Sequence, residues 1–147
     1  MKKYFMQKVD GYSIVNENTG EISELHVVKK VDINEFVMMF LLSIDEINEK
    51  LKGNEIKVLL ACVRCSKISS YEESGNSFLT CSREFKNLVT GIKPQNVCKY
   101  LAKLNELGFI KRISRSEYEL NPLYFFRGTL TQRTKCLMKI ETNEQPN

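Results

Sequence analysis

Apolar and polar residues alternate with different periods along this chain, and each change of period marks an element. Between residues 91 and 112, "GIKPQNVCKYLAKLNELGFIKR", Val97, Leu101 and Leu104 recur at i, i+4 and i+7, the spacing that gathers side chains on one side of an α-helix. On a helical wheel these three fall within roughly 60°, and Gln95, Asn96, Lys99 and Lys103 fall on the opposite arc. Pro94 sits where a first helical turn tolerates proline, and Gly108 follows the last apolar position as a stop. Upstream, "SREFKNLVTG" opens with a capping serine, Ser82, places Phe85, Leu88 and Val89 on one side and ends at Gly91. Two short helices joined by a glycine-containing turn make a helix-turn-helix pattern. Beyond Gly108, "FIKRISRSEYELNP" carries Phe109, Ile110 and Ile113 on one arm and Tyr118 and Leu120 on the other, reversing at "SRS". This predicts a β-hairpin, with Asn121 and Pro122 turning the chain out of it.

The flanking segments are simpler. β-favouring runs at Tyr12 to Val15 and Ile22 to Val28, joined by "NENTG", predict an amino-terminal β-hairpin or at least two extended pieces. From Asn34, taken as a cap, "NEFVMMFLLSIDEINEKLKG" predicts one helix or two short ones ending at Gly53. "NEIKVLLACVRCSKI" predicts another, capped by Asn54, with Ile56, Leu59, Leu60 and Val63 on its stripe. The run "FVMMF" has apolar side chains on most sides of a helix, so it suits either burial or a dimer surface, and burial is the simpler account. "SSYEESGNSFLTC" reads as a loop entering one strand, and the segment after Gly128 as an extended arm or short helix with a frayed end. The expected fold class is α+β, mostly helical: an amino-terminal hairpin arm over 1–33, a winged helix-turn-helix domain over 34–128 and a carboxy-terminal extension over 129–147.

Charge sharpens this picture. Residues 1–90 hold 12 Lys and Arg against 13 Asp and Glu, residues 91–135 hold 9 against 3, and residues 136–147 hold 1 against 2. The net charge of +4 therefore belongs to the segment with the helix-turn-helix and hairpin, the footprint of a surface that meets a polyanion. Other chemistries find little support. One histidine, His26, excludes a paired-histidine metal site, and a catalytic triad would have to be built on it alone. No phosphate-binding GxxxxGK[ST] loop is present. Cys62 and Cys65 form a CxxC inside a helical pattern with no second ligand pair, so the five scattered cysteines read as reduced, buried and structural. No catalytic residue, metal or cofactor is assigned. The longest apolar run, "FVMMFLL", is far short of the ~20 residues that span a bilayer, and "MKKYFMQKVDGY" lacks the apolar core of a secretory signal, so the expected location is the cytoplasm with no membrane contact.

The polar arc of the helix carries residue types that read bases. Asn and Gln pair bidentately with adenine, Lys with guanine or phosphate, and the helix amino end reaches first into a major groove. Gln95, Asn96 and Lys99 are the candidate base readers, and Lys93, Lys103, Arg112 and Arg115 the candidate phosphate contacts, with Lys111 beside them at the hairpin base. Double-stranded DNA is the expected partner. The aromatic cluster Tyr118, Tyr124, Phe125 and Phe126 suits core packing, and base stacking is its less common use.

Three stretches resemble the RepL-type plasmid replication initiators of Gram-positive bacteria: "TGEI" at Thr19 to Ile22, "GIKPQNVCKYLAKLNELGFIKR", and "YELNPLYFFRG", with Tyr118, Leu120, Asn121, Pro122, Phe125 and Gly128. The resemblance spans about the last two thirds of the chain. It implies a non-enzymatic protein that binds a plasmid origin and recruits host replication proteins. The family's helix usually opens with a small hydroxyl residue where this chain has Lys93, so base preference does not carry over. A transcriptional repressor with the same reader, or a protein-interaction module, fits the same residues.

Overall fold

The computed structural model describes residues 2–15, 18–20, 22–32, 36–68 and 75–144, with strands 2–15 and 22–32 described by backbone pairing alone. The chain divides into two compact units, Met1–Glu35 and Phe36–Asn147. In the first, β1 (Lys2–Val15) and β2 (Ile22–Asp32) form an antiparallel ribbon. Its register runs from Lys2 opposite Asp32 to Lys8 opposite His26, shifts between Lys8 and Ser13, and resumes with Ser13 opposite Glu24. The ribbon is longer than the sequence runs suggested, because "KKYFMQKVDG" lacks the clean alternation that flags a strand.

The second unit begins with a difference from the expected helix. Met38–Met39 form β3, paired antiparallel with β7 (Phe125–Phe126), and α1 spans only Leu41–Lys50. The expected cap Asn34 lies outside the described residues; the residue before α1 is Phe40, in extended backbone and with no side-chain cap. Short apolar runs do not separate helix from strand by period, and the partner that decides here lies far along the chain. Ser43 anchors α1, its Oγ donating to the Tyr124 carbonyl at 2.5 Å. Within "FVMMF" only Met39 is exposed, at 47%, and its neighbours are half-buried; just beyond the run Leu41, Leu42 and Ile44 of α1 are 80, 50 and 44% exposed.

The break between α1 and α2 falls at Leu51–Lys52, so Gly53 and Asn54 open α2 (Gly53–Cys65) where a stop and a cap were expected. The buried stripe of α2 is Val58, Leu59, Ala61, Cys62 and Cys65; Leu60 turns outward, one step round the wheel from the expected line. Three of the five free cysteines, Cys62, Cys65 and Cys136, are buried, and Cys81 and Cys98 are exposed against expectation. Burial pushes the Cys62 and Cys65 thiols up, away from the thiolate that redox or metal chemistry requires.

β4 (Ser77–Leu79) leads to α3 (Arg83–Leu88), whose first turn is capped as expected: the Phe85 N–H donates to Ser82 Oγ at 3.2 Å. Gly91, with φ +92°, makes the turn into α4 (Pro94–Glu106), and Gly108, with φ +83°, makes the turn out. β5 (Ile110–Arg112) and β6 (Glu117–Leu120) form the predicted hairpin, and β4 adds a third strand in the order β4-β6-β5. That third strand was not visible locally, since β4 and β6 lie some forty residues apart.

The core gathers where these pieces meet. Val97, Leu101 and Leu104 of α4 pack with Val58 and Leu59 of α2, Phe85 of α3 and Phe109, Ile110 and Leu120 of the hairpin. Phe78 stacks on Phe85 and on Tyr118, with ring centroids 6.2 and 5.8 Å apart, and Phe109 meets Tyr124 at 5.0 Å. The aromatic cluster is thus core, with Tyr118, Phe125 and Phe126 buried. Asn76, itself buried, substitutes for a strand partner: its side-chain amide donates to the Arg127 carbonyl at 2.8 Å and accepts from the Arg127 N–H at 2.7 Å. The extension after Gly128 is α5 (Leu130–Glu144), a longer helix than expected, continuing through Glu141 where fraying was foreseen. Residues 145–147 lie outside the described residues.

Candidate nucleic-acid interface

Helix α4 shows four faces where its sequence showed two. Val97, Leu101 and Leu104 are buried. One step round the wheel, Cys98, Ala102 and Asn105 share the same spacing and line a cleft of about 280 Å³ with Thr80, Arg112 and Arg115. On the other side Lys103 meets α2: its Nζ donates to both carboxylate oxygens of Glu55, at 2.8 and 2.9 Å. The Glu55 carboxylate also accepts the Lys52 N–H at 3.0 Å. The hydrogen bond from Lys103 holds the Glu55 carboxyl below its ordinary range, against the opposing effect of burial. Lys103 is therefore engaged inside the fold, a use that helix periodicity alone did not indicate.

What remains outward on α4 is a row of Gln95, Lys99 and Glu106, all exposed, with Lys93 exposed just before Pro94 and Asn96 half-buried. Positive and amide groups thus occupy the amino-terminal half, and Glu106 marks where an anionic partner would cease to be welcome.

The hairpin is fastened to α4 by Asn105. Its Oδ1 accepts the Arg112 N–H at 3.0 Å, which links the last turn of the helix to the first strand of the hairpin. Asn121 completes the joint: its side-chain amide donates to the Gly108 carbonyl at 2.7 Å, while its Oδ1 accepts the Leu123 N–H at 3.0 Å, the predicted turn. At the tip, the Arg112 guanidinium folds over the loop, donating from Nε to the Ser114 carbonyl at 3.1 Å and from Nη2 to the Arg115 carbonyl at 3.3 Å. Arg112 braces the reversal and Arg115 is exposed within it, while Lys111, also exposed, lies further back on β5 and lines a separate cleft with Asn121, Leu137 and Glu141. Lys111 lies opposite Glu119, whose carboxyl is raised by burial with Lys111 pulling the other way. Of the eight residues singled out in the sequence, the fold brings Lys93, Gln95, Asn96 and Lys99 to one end of α4, sets Lys111, Arg112 and Arg115 on the adjoining hairpin, and turns Lys103 to α2. Asn105 and Cys98 were missed; their shared spacing with Ala102 was the available signal.

Among the described residues no group of three or more His, Cys, Asp and Glu side chains is placed to hold a metal ion, and no helix is long and apolar enough to cross a membrane.

These features define the class: an α+β protein with a helix-turn-helix pair beside a small antiparallel sheet. Residues 1–147 match the family model described as Firmicute plasmid replication protein (RepL), and the chain belongs to that family. The match takes in the amino-terminal ribbon, beyond the two thirds where the resemblance had been read. It makes this a plasmid replication protein. No curated protein and no solved structure matches the chain.

Proposed function

We propose that this protein binds double-stranded DNA at a plasmid origin as a winged helix, α4 acting as reader and the β5–β6 hairpin as wing, and that it serves replication as an initiator or regulator without catalysing a reaction. Membership of a plasmid replication family supports the setting. The observation that carries the reading is the exposed run of Lys93, Gln95 and Lys99 at the amino end of α4, tied through Asn105 to a hairpin that exposes Lys111 and Arg115.

In this reading Gln95, Asn96 and Lys99 face base edges, and Lys93, Lys111 and Arg115 meet phosphates. Arg112 shapes the wing and adds charge to it. Lys103 contributes least, because Glu55 neutralises it. Fluorescence anisotropy with the plasmid's own origin duplex against random duplex tests the proposal. Replacing Asn96 or Gln95 by alanine should cost roughly 1–3 kcal/mol on the origin and leave random-sequence binding unchanged. Equal losses on both duplexes would remove these side chains from base reading, and no duplex binding at low salt would remove the function. A plasmid-maintenance assay with the same variants separates an initiator from a repressor that uses the same reader.

A further inference from the structure

The apolar residues that open α1 and an apolar groove elsewhere in the same unit have matching chemistry. On α1, Leu41, Leu42 and Ile44 are exposed, and Asp45 and Glu49 lie on the same outward side, away from the inward Ser43 and Ile47. Glu46 is accounted for separately, paired with Lys50. The α1 surface is thus an apolar patch with exposed acid beside it, Glu49 lying within the field of Lys50. Between α2 and α3 runs a groove of about 470 Å³ whose apolar lining includes Ile56, Leu60 and Leu88, with Lys57 and Arg64 on its rim. Leu60 and Leu88 are exposed there. The Lys57 ammonium reaches the Thr90 carbonyl at 3.2 Å, and Arg64 lies 3.4 Å from Glu84 across the rim, both in solvent.

We propose that α1 of one copy docks in the α2–α3 groove of a second copy, and the second returns the contact, giving a symmetric dimer. The occupant follows from complementarity: leucines and isoleucine meet an apolar floor, and Asp45 and Glu49 meet Lys57 and Arg64, so two surfaces of one chain satisfy each other in both respects. A reciprocated pair closes on itself and leaves neither surface exposed. The outward row of α4 belongs to neither surface. If α4 is the reader proposed above, the dimer carries two, as a two-half-site origin requires.

Sedimentation equilibrium on the full chain, without DNA, tests this apart from the DNA reading. Wild type should show a concentration-dependent monomer–dimer equilibrium. Variant A, Asp45→Lys with Glu49→Lys, has a basic α1 and a basic groove; variant B, Lys57→Glu with Arg64→Glu, has both acidic. Each alone should dimerise more weakly by roughly tenfold or more, because like charges then face each other. Mixed, A and B should recover dimer at the wild-type concentration range, since both contacts in the mixed pair are matched, and that recovery also shows that both variants fold. A monomeric wild type at every concentration, undiminished dimer in A and B, or no recovery on mixing while both keep the wild-type circular dichroism would each overturn the proposal. Capture of some other acidic helix by a monomeric wild type counts with the first of these.

Discussion

Lys99 and Lys103 stand one turn apart on α4 with opposite surroundings. Lys99 is exposed, whereas Lys103 holds Glu55 and so couples α4 to α2. The coupling sets a pH dependence. The folded state holds the Glu55 carboxyl below 4.5, so the unfolded chain takes up a proton there before the folded one does. The stabilisation is present above about pH 4.5 and disappears as pH falls through the lower folded value. Glu55→Gln should lower the urea midpoint at neutral pH, by an amount equivalent to about 1 kcal/mol at most for so accessible a pair. The gap between wild type and variant should narrow as the pH falls below about 4.5; a gap that does not narrow at all on acidification would mean that Glu55 acts through something other than its charge. Lys103 also marks a limit of the sequence. A wheel separates inside from outside, but it does not tell solvent from a charged neighbour on another helix.

At the scale of elements, α3 and α4 were legible because their signals are local. Ser82, Gly91, Pro94 and Gly108 stand at the boundaries themselves, and Val97, Leu101 and Leu104 give an unbroken stripe. Ser82→Ala should cost about 1 kcal/mol by leaving the Phe85 N–H without its acceptor, and Gly91→Ala a similar ~1–2 kcal/mol for forcing a side chain into left-handed backbone. Both are read from denaturant unfolding, and no change in either would relocate the turn. Elements that depend on distant partners were not legible. "FVMMF" holds a strand because Phe125–Phe126 pair with it, and β4 is the third strand of a sheet because β6 returns beside it. Leu60 was misplaced for a related reason: α2 has apolar residues on two sides, and only its neighbours decide which is buried. Asn105 joins elements in the same nonlocal way. Asn105→Ala should leave the helices intact by circular dichroism while speeding exchange of the Arg112 amide hydrogen; unaltered exchange would show that the hairpin is held to α4 by packing alone.

For the molecule as a whole, the segregation of charge was the most informative feature of the sequence, since it singled out residues 91–135 before any fold was known. The fold refines it: the positive groups divide between one end of α4 and the hairpin, with Lys103 withdrawn. The central claim is that this divided surface lies along duplex DNA, and the salt dependence of binding to random duplex tests it most directly. Each phosphate contact displaces condensed counterions, so removing one lowers the slope of log K against log salt by about 0.9. The account predicts measurable duplex binding whose slope falls by about one for Arg115→Ala and stays unchanged for Lys103→Ala. A slope that Arg115→Ala leaves intact, or that Lys103→Ala reduces just as much, would contradict it.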